Sequence, residues 1–564
     1  MQQHGDFFRP ATRRAIFWTL AVGSGLAASL VGTFAIAQYA QRDGADGWAA
    51  EASADWPSYR RTVNGQRFSP LTEITRSNVA QLRQVCAYDL PEVSQFQSGP
   101  IVIDGTMYFT SDTKSFAIDA LTCAEKWKSE RKTASSPFVY GNRGFAFSNG
   151  RLFRGTSDAH VLALAANDGR TLWDVTLDVT GPGVTVPMAP LAWHGMVFIG
   201  IAGGDNVAVT GHLYALDEND GHVIWRFDVV PPSARATWQS APQYPITGGA
   251  LWTSLTLDPT TGVLYVPTGN PAPDFHVELR PGDNLYTDSL IALDATSGRM
   301  LAYNQLVKHD FHDWDVSDSG AIFTSRAGRK LIASANKNGL LSVLDRSGVK
   351  EGVFPVVWEV PTTTRENVDI PFSSDEKRHF CPGAAGGTEW NGAAYSRRND
   401  MLYVGAVDWC SAIQLPRVPQ PVPPVGAIWL DTETPFNEIL DPGDTAKGWL
   451  TAYDAQSGAV RWKFAARKPI LAGVTPTAGD VVFAADAGGV FYAFDADTGE
   501  ALWSQDLGQA TAGGIITYRA GGRQLVGIAS GMKSPTWPVT AHVSRIVVYG
   551  LPCDEARNCV RDVD

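Results

Sequence analysis

A repeat with a tryptophan at its end restricts the fold of this chain more than any other feature. In the segments AIDALTCAEKW, ALAANDGRTLW, ALDENDGHVIW, ALDATSGRMLA, AYDAQSGAVRW and AFDADTGEALW, an alternating apolar strand ends at an Asp, and a Trp follows eight residues later. The second copy has Ala165 at the Asp position and the fourth has Ala302 at the Trp position. A Gly stands between the two in all copies but the first. Asp and Gly supply hairpin turn geometry, and the Trp can fill the space between neighbouring sheets.

Units of this size cannot bury both faces of a sheet alone, so the copies must stack. Successive copies lie roughly 40–50 residues apart, which suits one propeller blade each. The interval from Trp225 to Ala302 is longer and should hold a blade plus loops. We therefore predict an all-β fold with a single eight-bladed β-propeller, with seven blades as the alternative. The segment 55–82 is interpreted as a cap, and HVSRIVVYGLP near the C-terminus should join the N-terminal strands to close the ring.

Charge and composition restrict the class of partner. The 564 residues carry a formal net charge of −12, so no basic surplus exists to neutralise nucleic-acid phosphates. The 55 glycines, 34 prolines and 18 tryptophans favour many turns and short strands. We predict a globular protein that does not bind nucleic acid.

The N-terminus resembles an export or anchoring segment. Three arginines precede an apolar run from Ala15 to Ala37, which is long enough to span a bilayer. The AIA at its end also fits a small-x-small cleavage site. We predict a signal peptide or membrane anchor over residues 1–45 and one propeller domain over 46–564. Positive-inside logic places that domain in the periplasm, and cleavage or anchoring both remain open.

The cysteines suit an oxidising compartment. The six cysteines are predicted to form three disulfides. Two pairs each enclose a coherent segment and the third follows by elimination: Cys381–Cys410, Cys553–Cys559 and Cys86–Cys123. No Cys-x-x-Cys-His motif occurs, so the chain encodes no covalently attached c-type haem.

One short stretch is unusually polar. KHDFHDWDVSDSG, residues 308–320, places two histidines and four aspartates around one tryptophan. A solvated loop is one interpretation, and a metal or proton-transfer site is the other. His309 and His312 are expected to order the loop instead of binding a transition metal, because no third His or Cys ligand is evident nearby.

The ordered set of motifs resembles one family. The repeat, NGQRFSPLTEITRSNVAQL, NRG, PTGNPAP, RPGDN, HDWD, NKNG and CPGAAGG with WNG occur in family order between Trp56 and Pro552. Together they resemble the quinoprotein alcohol dehydrogenases of the haem-free type. The resemblance implies an eight-bladed propeller that binds pyrroloquinoline quinone (PQQ) and calcium on its central axis.

The resemblance also implies a metal and a catalytic base. Asp315 of HDWD takes the place of the catalytic aspartate that also approaches the metal, and Asp313 is the alternative. Asn270 of PTGN and Asp205 of AGGDN take the places of the other metal ligands. Oxygen ligands of this kind suit Ca²⁺. Lanthanide-using relatives have a second acid where this chain has Ser317, so calcium is expected.

Five side chains are implied to contact the quinone. Arg143 would pair with a cofactor carboxylate, and Trp252 would stack under the flat ring system. Lys337 would bond the reactive carbonyl oxygens and stabilise the negative charge that develops there. Gln97 and Glu389 stand at two further contact positions.

The chain departs from the family pattern in several places. Gln97 and Asp205 stand where glutamate is usual, Leu471 where tryptophan is usual, and Glu389 where asparagine is common. The family's ring of adjacent cysteines is absent from the sequence. The Pro-rich stretch 410–448 is expected to fold over the funnel mouth and to set specificity. These departures suggest a roomier site.

The implied activity is oxidation of an alcohol to an aldehyde or ketone. Electrons would pass to an external acceptor, either a cytochrome c or, if the N-terminus is anchored, a membrane quinone. The alternative function is a non-catalytic periplasmic scaffold that binds protein partners and no cofactor. A scaffold would keep the repeat but has no reason to keep the site motifs in order. The sequence does not distinguish one alcohol from another.

Overall fold

The computed structural model describes residues 54–133, 141–179 and 181–552, and within them nearly all regular structure is β. The strands of the first half are β1 (Arg83–Asp89), β2 (Ile101–Ile103), β3 (Thr106–Thr110), β4 (Lys114–Asp119), β5 (Glu125–Glu130), β6 (Ala146–Ser148), β7 (Arg151–Gly155), β8 (His160–Ala165), β9 (Thr171–Thr176), β10 (Leu191–Trp193), β11 (Met196–Gly200), β12 (His212–Asp217), β13 (Val223–Asp228), β14 (Thr256–Asp258), β15 (Val263–Pro267), β16 (Ser289–Asp294) and β17 (Met300–Gln305).

The strands of the second half are β18 (Ala321–Thr324), β19 (Lys330–Ala335), β20 (Leu340–Asp345), β21 (Val356–Pro361), β22 (Arg378–Phe380), β23 (Ala393–Ser396), β24 (Met401–Asp408), β25 (Ser411–Ile413), β26 (Lys447–Asp454), β27 (Val460–Ala466), β28 (Thr475–Pro476), β29 (Val481–Ala485), β30 (Val490–Asp495), β31 (Ala501–Asp506), β32 (Ile515–Ala520), β33 (Arg523–Ser530) and β34 (Arg545–Gly550). Short 3-10 helices lie at Val79–Gln81, Pro232–Thr237, Val277–Leu279, Val349–Glu351 and Phe436–Glu438.

These strands form eight four-stranded antiparallel sheets, which confirms the predicted propeller and its blade count. Blades 1 to 5 are β2–β5, β6–β9, β10–β13, β14–β17 and β18–β21. Blade 6 is β23, β24, β26 and β27, because β25 leaves the ring to pair with β22. Blade 7 is β28–β31, and blade 8 combines β32, β33 and β34 with β1.

The ring closes where the N-terminal strand completes the last blade. Strand β1 pairs antiparallel with β34, from Arg83 opposite Gly550 to Asp89 opposite Arg545. The predicted closure by HVSRIVVYGLP is therefore confirmed. Pairing β1 with β34 covers the edge of the last strand in the sequence, so the N-terminal segment completes the last blade.

The tryptophans of the repeat join neighbouring blades as predicted. Trp127 on β5 donates its Nε1–H to the carbonyl oxygen of Ala166 in the next blade, at 2.9 Å. The repeat glycine of that blade, Gly169, lies under the ring, and a Cβ there would stand 2.5 Å from Trp127 Cε3. Trp462 repeats the arrangement with the Ala496 carbonyl at 3.0 Å. The glycine is therefore required both for its turn and for the close approach of the indole.

Two blade interfaces differ from the repeat. At the fourth, where the sequence has Ala302, Phe354 of the next blade packs into the same apolar cluster and supplies the missing ring. At the fifth, Trp358 covers Gly458 of the next blade, as the repeat tryptophans do. Trp358 was not identified as a repeat tryptophan from the sequence, because a 3-10 helix lengthens the turn between Asp345 and Trp358.

The segment 55–82 caps the ring as predicted. Its backbone or side chains bond the innermost strands of blades 1, 4, 5, 6 and 7, at Val102, Leu257, Ile322, Tyr395 and Pro476. Arg60 adds a buried ion pair, with its Nη2 2.6 Å from Asp318 Oδ1. This segment therefore crosses the central axis and ties together blades that are distant in sequence.

Two of the three predicted disulfides are present. Cys86 on β1 is bonded to Cys123 in the turn of blade 1, with Cα atoms 5.8 Å apart. Cys381 is bonded to Cys410 with Cα atoms 4.6 Å apart. The predicted Cys553–Cys559 pair lies outside the described residues, and so do the segment 1–45 and its apolar run. Within the described ranges, no helix is long and apolar enough to cross a membrane.

Candidate active site

The topology brings the predicted site residues to one end of the propeller. Some of them precede the innermost strand of a blade: Gln97, Arg143, Trp252, Asp315 and Glu389 come before β2, β6, β14, β18 and β23. Others follow the second strand: Asp205, Asn270 and Lys337 come after β11, β15 and β19. In an antiparallel blade the start of the first strand and the end of the second lie at the same end. The Asp-Gly turns, after the third strand, therefore lie at the opposite end.

A cavity of about 1440 Å³ opens at this end of the axis. Seven of the eight predicted site residues line it: Gln97, Arg143, Asp205, Trp252, Asp315, Lys337 and Glu389. The eighth, Asn270, is 2% exposed and lies directly behind its floor, bonded to Asp315 and Asp274. The structure thus brings together all the residues that the family resemblance singled out.

Asp315 is fixed by three donors from three different loops. Its Oδ1 accepts hydrogen bonds from Trp252 Nε1 at 3.0 Å and from the Asn270 backbone N–H at 3.2 Å. Its Oδ2 accepts a hydrogen bond from Lys337 Nζ at 2.9 Å. Gly269 also lies against it, since a Cβ there would stand 2.4 Å from Oδ1. The carboxylate is therefore held in one orientation facing the cavity.

Lys337 joins this aspartate to a second one. Its Nζ donates to Asp313 Oδ1 at 3.0 Å as well as to Asp315. Burial opposes the charged ammonium, but the carboxylates of Asp313 and Asp315 raise the pKa of Lys337 well above its ordinary value. Lys337 therefore provides a permanent positive charge at the cavity floor.

Two further carboxylates form a cluster with Asp313. One oxygen each from Asp205, Asp274 and Asp313 lies within 4.8 Å of the others. Burial, reinforced by the Asp315 carboxylate, raises the pKa of Asp205 to about 6. Burial and the neighbouring acids also raise the pKa of Asp274 and of Asp313 well above the usual range. Acids held this close repel each other unless a proton or a cation lies between them.

The loop that carries Asp313 and Asp315 is shaped by Asp310. This buried carboxylate accepts the backbone N–H groups of His312, Asp313 and Trp314 at 3.1 to 3.2 Å. The His312 ring stacks on Trp314, with centroids 3.8 Å apart. His309 is exposed and its Nδ1 meets the Gly282 carbonyl oxygen at 2.9 Å. The polar stretch is thus a loop fixed by internal hydrogen bonds and ring stacking, and its two histidines help to order it.

The loop holds Asp313 in a strained conformation. Its φ of 66° lies in the left-handed region, which a non-glycine residue rarely adopts. Such conformations persist only where the surroundings impose them, and they cluster at functional sites. The strain is the local cost of turning the Asp313 carboxylate towards Asp205 and Asp274.

A second group of side chains, called the cradle below, consists of Arg143, Trp252, Trp390, Glu389 and Gln97. The guanidinium lies 5.0 Å from the Trp252 ring centroid and 4.9 Å from that of Trp390, and its Nη1 donates to the Trp252 carbonyl oxygen at 3.0 Å. Burial lowers the pKa of Arg143 to about 10, so the group stays charged at neutral pH. Burial raises the pKa of Glu389 to about 7, against the opposing effect of Lys337.

Some polar atoms of this cradle lack partners. Among the described residues, Arg143 Nε and Gln97 Oε1 are buried and have no hydrogen-bond partner. Buried polar groups of folded proteins are almost always bonded, and both residues line the cavity, so these atoms are candidates for contact with a ligand. An anionic group could accept hydrogen bonds from the Arg143 guanidinium, and a flat ring system could pack on an indole ring.

Sequence reasoning missed Asp274 and Trp390. Asp274 stands four residues after Asn270, whose Nδ2 donates to it at 3.1 Å, and that spacing in PTGNPAPD was the available signal. Trp390 adjoins Glu389 and bonds the Ala512 carbonyl oxygen through Nε1 at 3.0 Å. No pattern in the sequence distinguishes Trp390 from the buried tryptophans that have a structural role. Leu471 is fully buried in the apolar cluster behind Trp390.

The Pro-rich stretch 410–448 covers the site as predicted. Residues 426–428, 430 and 436–443 line the cavity. Within this stretch, the backbone of buried Trp429 bridges two of the acidic loops. Its backbone N–H donates to the Asp205 carbonyl oxygen at 2.8 Å, and its carbonyl oxygen accepts the backbone N–H of Asp274 at 3.2 Å. The stretch therefore both roofs the cavity and positions the carboxylate cluster.

Two protein-family models match the chain. The model described as "Glucose/ethanol/alcohol dehydrogenase, beta-propeller domain", of the PQQ family, matches residues 56–367. A second, described as "Outer membrane protein assembly factor BamB", matches residues 446–542. The first covers the blades that contribute every predicted site residue except Glu389, whereas the second covers repeats of the last blades.

Individual relatives agree with the first match. The chain is 30% identical over 524 residues to the quinoprotein alcohol dehydrogenase PedH of Pseudomonas putida, covering 84% of this chain and 86% of the relative. The quinohemoprotein alcohol dehydrogenase of Comamonas testosteroni superposes with a TM-score of 0.79 at 25% identity, covering 91% of this chain and 84% of that one. A europium-containing methanol dehydrogenase shares the fold, with a TM-score of 0.79 at 24% identity over 89% of this chain and 99% of that one.

The fold, the converging site residues and the matching family model agree with one another. An enzyme of this kind is an oxidoreductase acting on alcohols, and the scaffold alternative does not account for the site. The chain belongs to the family of PQQ-dependent quinoprotein alcohol dehydrogenases.

Proposed function

We propose that this protein is a periplasmic, PQQ- and calcium-dependent dehydrogenase that oxidises an alcohol to an aldehyde or ketone. The observation that carries the proposal is Lys337 bonded to both Asp313 and Asp315, beside a carboxylate cluster at the floor of the cavity. A structural ion pair would not require three acids to lie together at the lining of a cavity.

The donor set of the cluster fits a hard divalent cation. Asp205, Asp274 and Asp313 offer carboxylate oxygens, and Asn270 lies beside them. Ca²⁺ prefers six to eight oxygen ligands, so the quinone and water would supply the rest. We propose these residues as the cation site. Ser317 donates its hydroxyl to the Thr388 carbonyl oxygen at 2.7 Å and offers no further acid, which supports calcium.

The cradle fits a flat, anionic cofactor. Arg143, with its unpartnered Nε, would bind a carboxylate of PQQ. Trp252 and Trp390 would contact the ring system, and Gln97 and Glu389 would bond its edge. When bound, PQQ accepts the hydride equivalent and the cation supplies Lewis acidity.

The chain's own catalytic group is Asp315. We propose that a carboxylate oxygen of Asp315 accepts the proton of the substrate hydroxyl. Trp252 Nε1, the Asn270 N–H and Lys337 Nζ fix that carboxylate, so it needs no reorganisation during the reaction. The Pro-rich roof limits access of water to the site. An external one-electron acceptor, such as a cytochrome c, or a membrane quinone would then reoxidise the enzyme.

The test is a dye-linked alcohol oxidation assay on protein expressed without residues 1–45, with PQQ and Ca²⁺ added singly and together. Activity that requires both additions supports the proposal. Calorimetry on the same samples reports PQQ binding with Ca²⁺, with La³⁺ and with EDTA. Tighter binding with La³⁺ than with Ca²⁺ would refute the calcium assignment. Absence of metal-dependent PQQ binding would favour the scaffold function.

A further inference from the structure

The cavity is larger than cofactor binding alone requires. Its volume is about 1440 Å³, whereas pockets for drug-sized ligands range over about 300–1,000 Å³. All the charged groups of the proposed catalytic and cofactor sites lie at its floor. We call the part of this cavity that is lined by the Pro-rich stretch, by Trp409 and by residues 534–538 the outer chamber.

The walls of the outer chamber are mostly apolar. They are formed by two tryptophans and by branched side chains of the Pro-rich stretch: Trp409, Trp537, Ile428, Leu430, Ile439 and Leu440. Outside the floor, the charged side chains among the lining residues are those of Lys377, Glu438 and Asp441. Lys377 and Glu438 are exposed at the rim, and Asp441 faces His379 at 2.9 Å. Apart from these rim residues and Asp441, the described wall of the outer chamber carries no charged side chain.

The outer walls are fixed by packing. Trp409 donates Nε1–H to the Asp441 carbonyl oxygen at 2.9 Å, which ties the Pro-rich stretch to blade 6. The rings of Trp409 and Trp537 lie 6.0 Å apart. Gly443 packs so closely on Pro538 that a Cβ would stand 2.5 Å from the proline Cβ. A rigid apolar chamber does not collapse around a small molecule, so its unfilled volume would remain wet or empty.

We propose that the natural substrate is an alcohol with a bulky, neutral, apolar body, which packs against Trp409 and Trp537 while its carbinol reaches Asp315. This inference rests on the proposed function. The oxidation removes a hydride from the carbinol carbon, with PQQ as the two-electron acceptor, and a proton from its hydroxyl. The apolar body takes no part in the chemistry, and its burial contributes binding that a small alcohol lacks.

The test compares alcohols that share one reacting group. Benzyl alcohol and 4-biphenylmethanol have the same benzylic carbinol and differ by one phenyl ring, and ethanol is the small reference. We expect kcat/KM for 4-biphenylmethanol to exceed that for benzyl alcohol by about tenfold or more, with ethanol the poorest. Equal or higher kcat/KM for ethanol would overturn the inference and leave the proposed function intact.

A variant that fills the chamber tests the location. Ala412 is half-buried and lines the cavity, so Ala412→Phe should lower the ratio of kcat/KM for 4-biphenylmethanol to that for ethanol by about tenfold. Ala327→Phe, at an exposed turn, is the matched control and should not change the ratio. An unchanged ratio in folded Ala412→Phe would also overturn the inference.

Calorimetry separates the two hypotheses. We expect cofactor-free wild-type protein to bind 4-biphenylmethanol more tightly than benzyl alcohol, and Ala412→Phe to lose that preference. Binding of this kind without oxidation of any alcohol would support the apolar chamber and refute the proposed function. No preference in binding would refute the chamber, whatever the outcome of the activity assay.

Discussion

The two ends of the propeller are built in opposite ways. At one end, most blades turn through a short hairpin of similar design, usually with an Asp and a Gly; Asp294 and Asp454, for example, each accept two backbone N–H groups at 3.0 to 3.1 Å. At the other end the loops are long, all different, and carry buried charges that meet on the axis. Uniform turns repeat a stable unit, whereas dissimilar loops on a rigid scaffold create a site.

Three aspartates at the two ends have pKa values shifted in opposite directions. The hydroxyl of Thr296 and the hydroxyl and N–H groups of its neighbours lower the pKa of the half-buried Asp294. Burial raises the pKa of Asp205 to about 6, and that of Asp313 well above the usual range. Local hydrogen bonds thus favour the charged form of a turn aspartate, whereas burial disfavours the charged form of these two axial aspartates. We therefore expect substitutions at the axial end to reduce activity and substitutions at the repeat end to reduce stability.

Replacing the catalytic aspartate should have the largest effect. Asp315→Asn removes the proton acceptor but keeps the shape of the side chain, so kcat/KM in the dye-linked assay should fall by about 10²–10⁴-fold. The matched control Asp454→Asn changes an aspartate of the repeat, in a hairpin at the opposite end. It should retain wild-type kcat/KM. Activity lost equally in both variants would mean that the two ends are not functionally separate.

Removing a blade-joining tryptophan should lower stability without lowering activity. Trp462 is 8% exposed and packs against Tyr403 and Phe494, so Trp462→Ala should lower the free energy of unfolding by about 3–5 kcal/mol. The specific activity of the folded fraction should not change, because the side chain does not line the cavity. Val460→Ala, exposed on the same strand, is the control for chemical denaturation.

The repeat end could be predicted almost completely from the sequence. The Asp, Gly and Trp of each hairpin lie within eight residues of one another, so short-range patterns specify both the turn and its docking. The spacing of the repeats predicted eight blades, with seven as the alternative, and the C-terminal strand HVSRIVVYGLP predicted the closure of the ring. Trp358 was missed for a local reason, since a longer turn breaks the spacing that defines the repeat.

The axial end could be predicted only in part. Asp315, Lys337 and Asp205 were found through motifs, but Asp274 gains its role from Trp429, which lies over 150 residues away and joins its loop to that of Asp205. No local pattern encodes such a contact. The volume of the outer chamber likewise depends on how three distant loops pack, so the sequence could suggest a roomier site but not its walls.

The buried acid of the cradle should impose a pH dependence on stability. Glu389 has a pKa raised from 4.5 to about 7, so folded protein without cofactor keeps this proton where the unfolded chain has released it. Stability should therefore fall as the pH rises through this interval, by up to about 3 kcal/mol. The Glu389→Gln variant has no ionisable group at this position and does not lose this stability. The free energy of unfolding of the variant, relative to that of wild type, should therefore grow between pH 5 and pH 8.

Chemical denaturation at both pH values measures this difference. The other site acids titrate in both proteins and cancel in the comparison. Glu500→Gln, at an exposed hairpin of the repeat end, is the matched control and should follow wild type at both pH values. A Glu389→Gln advantage that does not change with pH would mean that the carboxyl is not desolvated by the cradle.

The interface without a repeat tryptophan should give the smallest effect. Ala302 is 5% exposed and shares its cluster with Phe354, so Ala302→Trp would overpack the interface and lower the free energy of unfolding by about 1–3 kcal/mol. Phe354→Ala alone should also destabilise the protein. If Phe354 substitutes for the absent indole, the double variant should lose less than the sum of the two single losses, by about 0.5–3 kcal/mol. Additive losses would show instead that this interface is held by other contacts and that Phe354 does not replace the tryptophan.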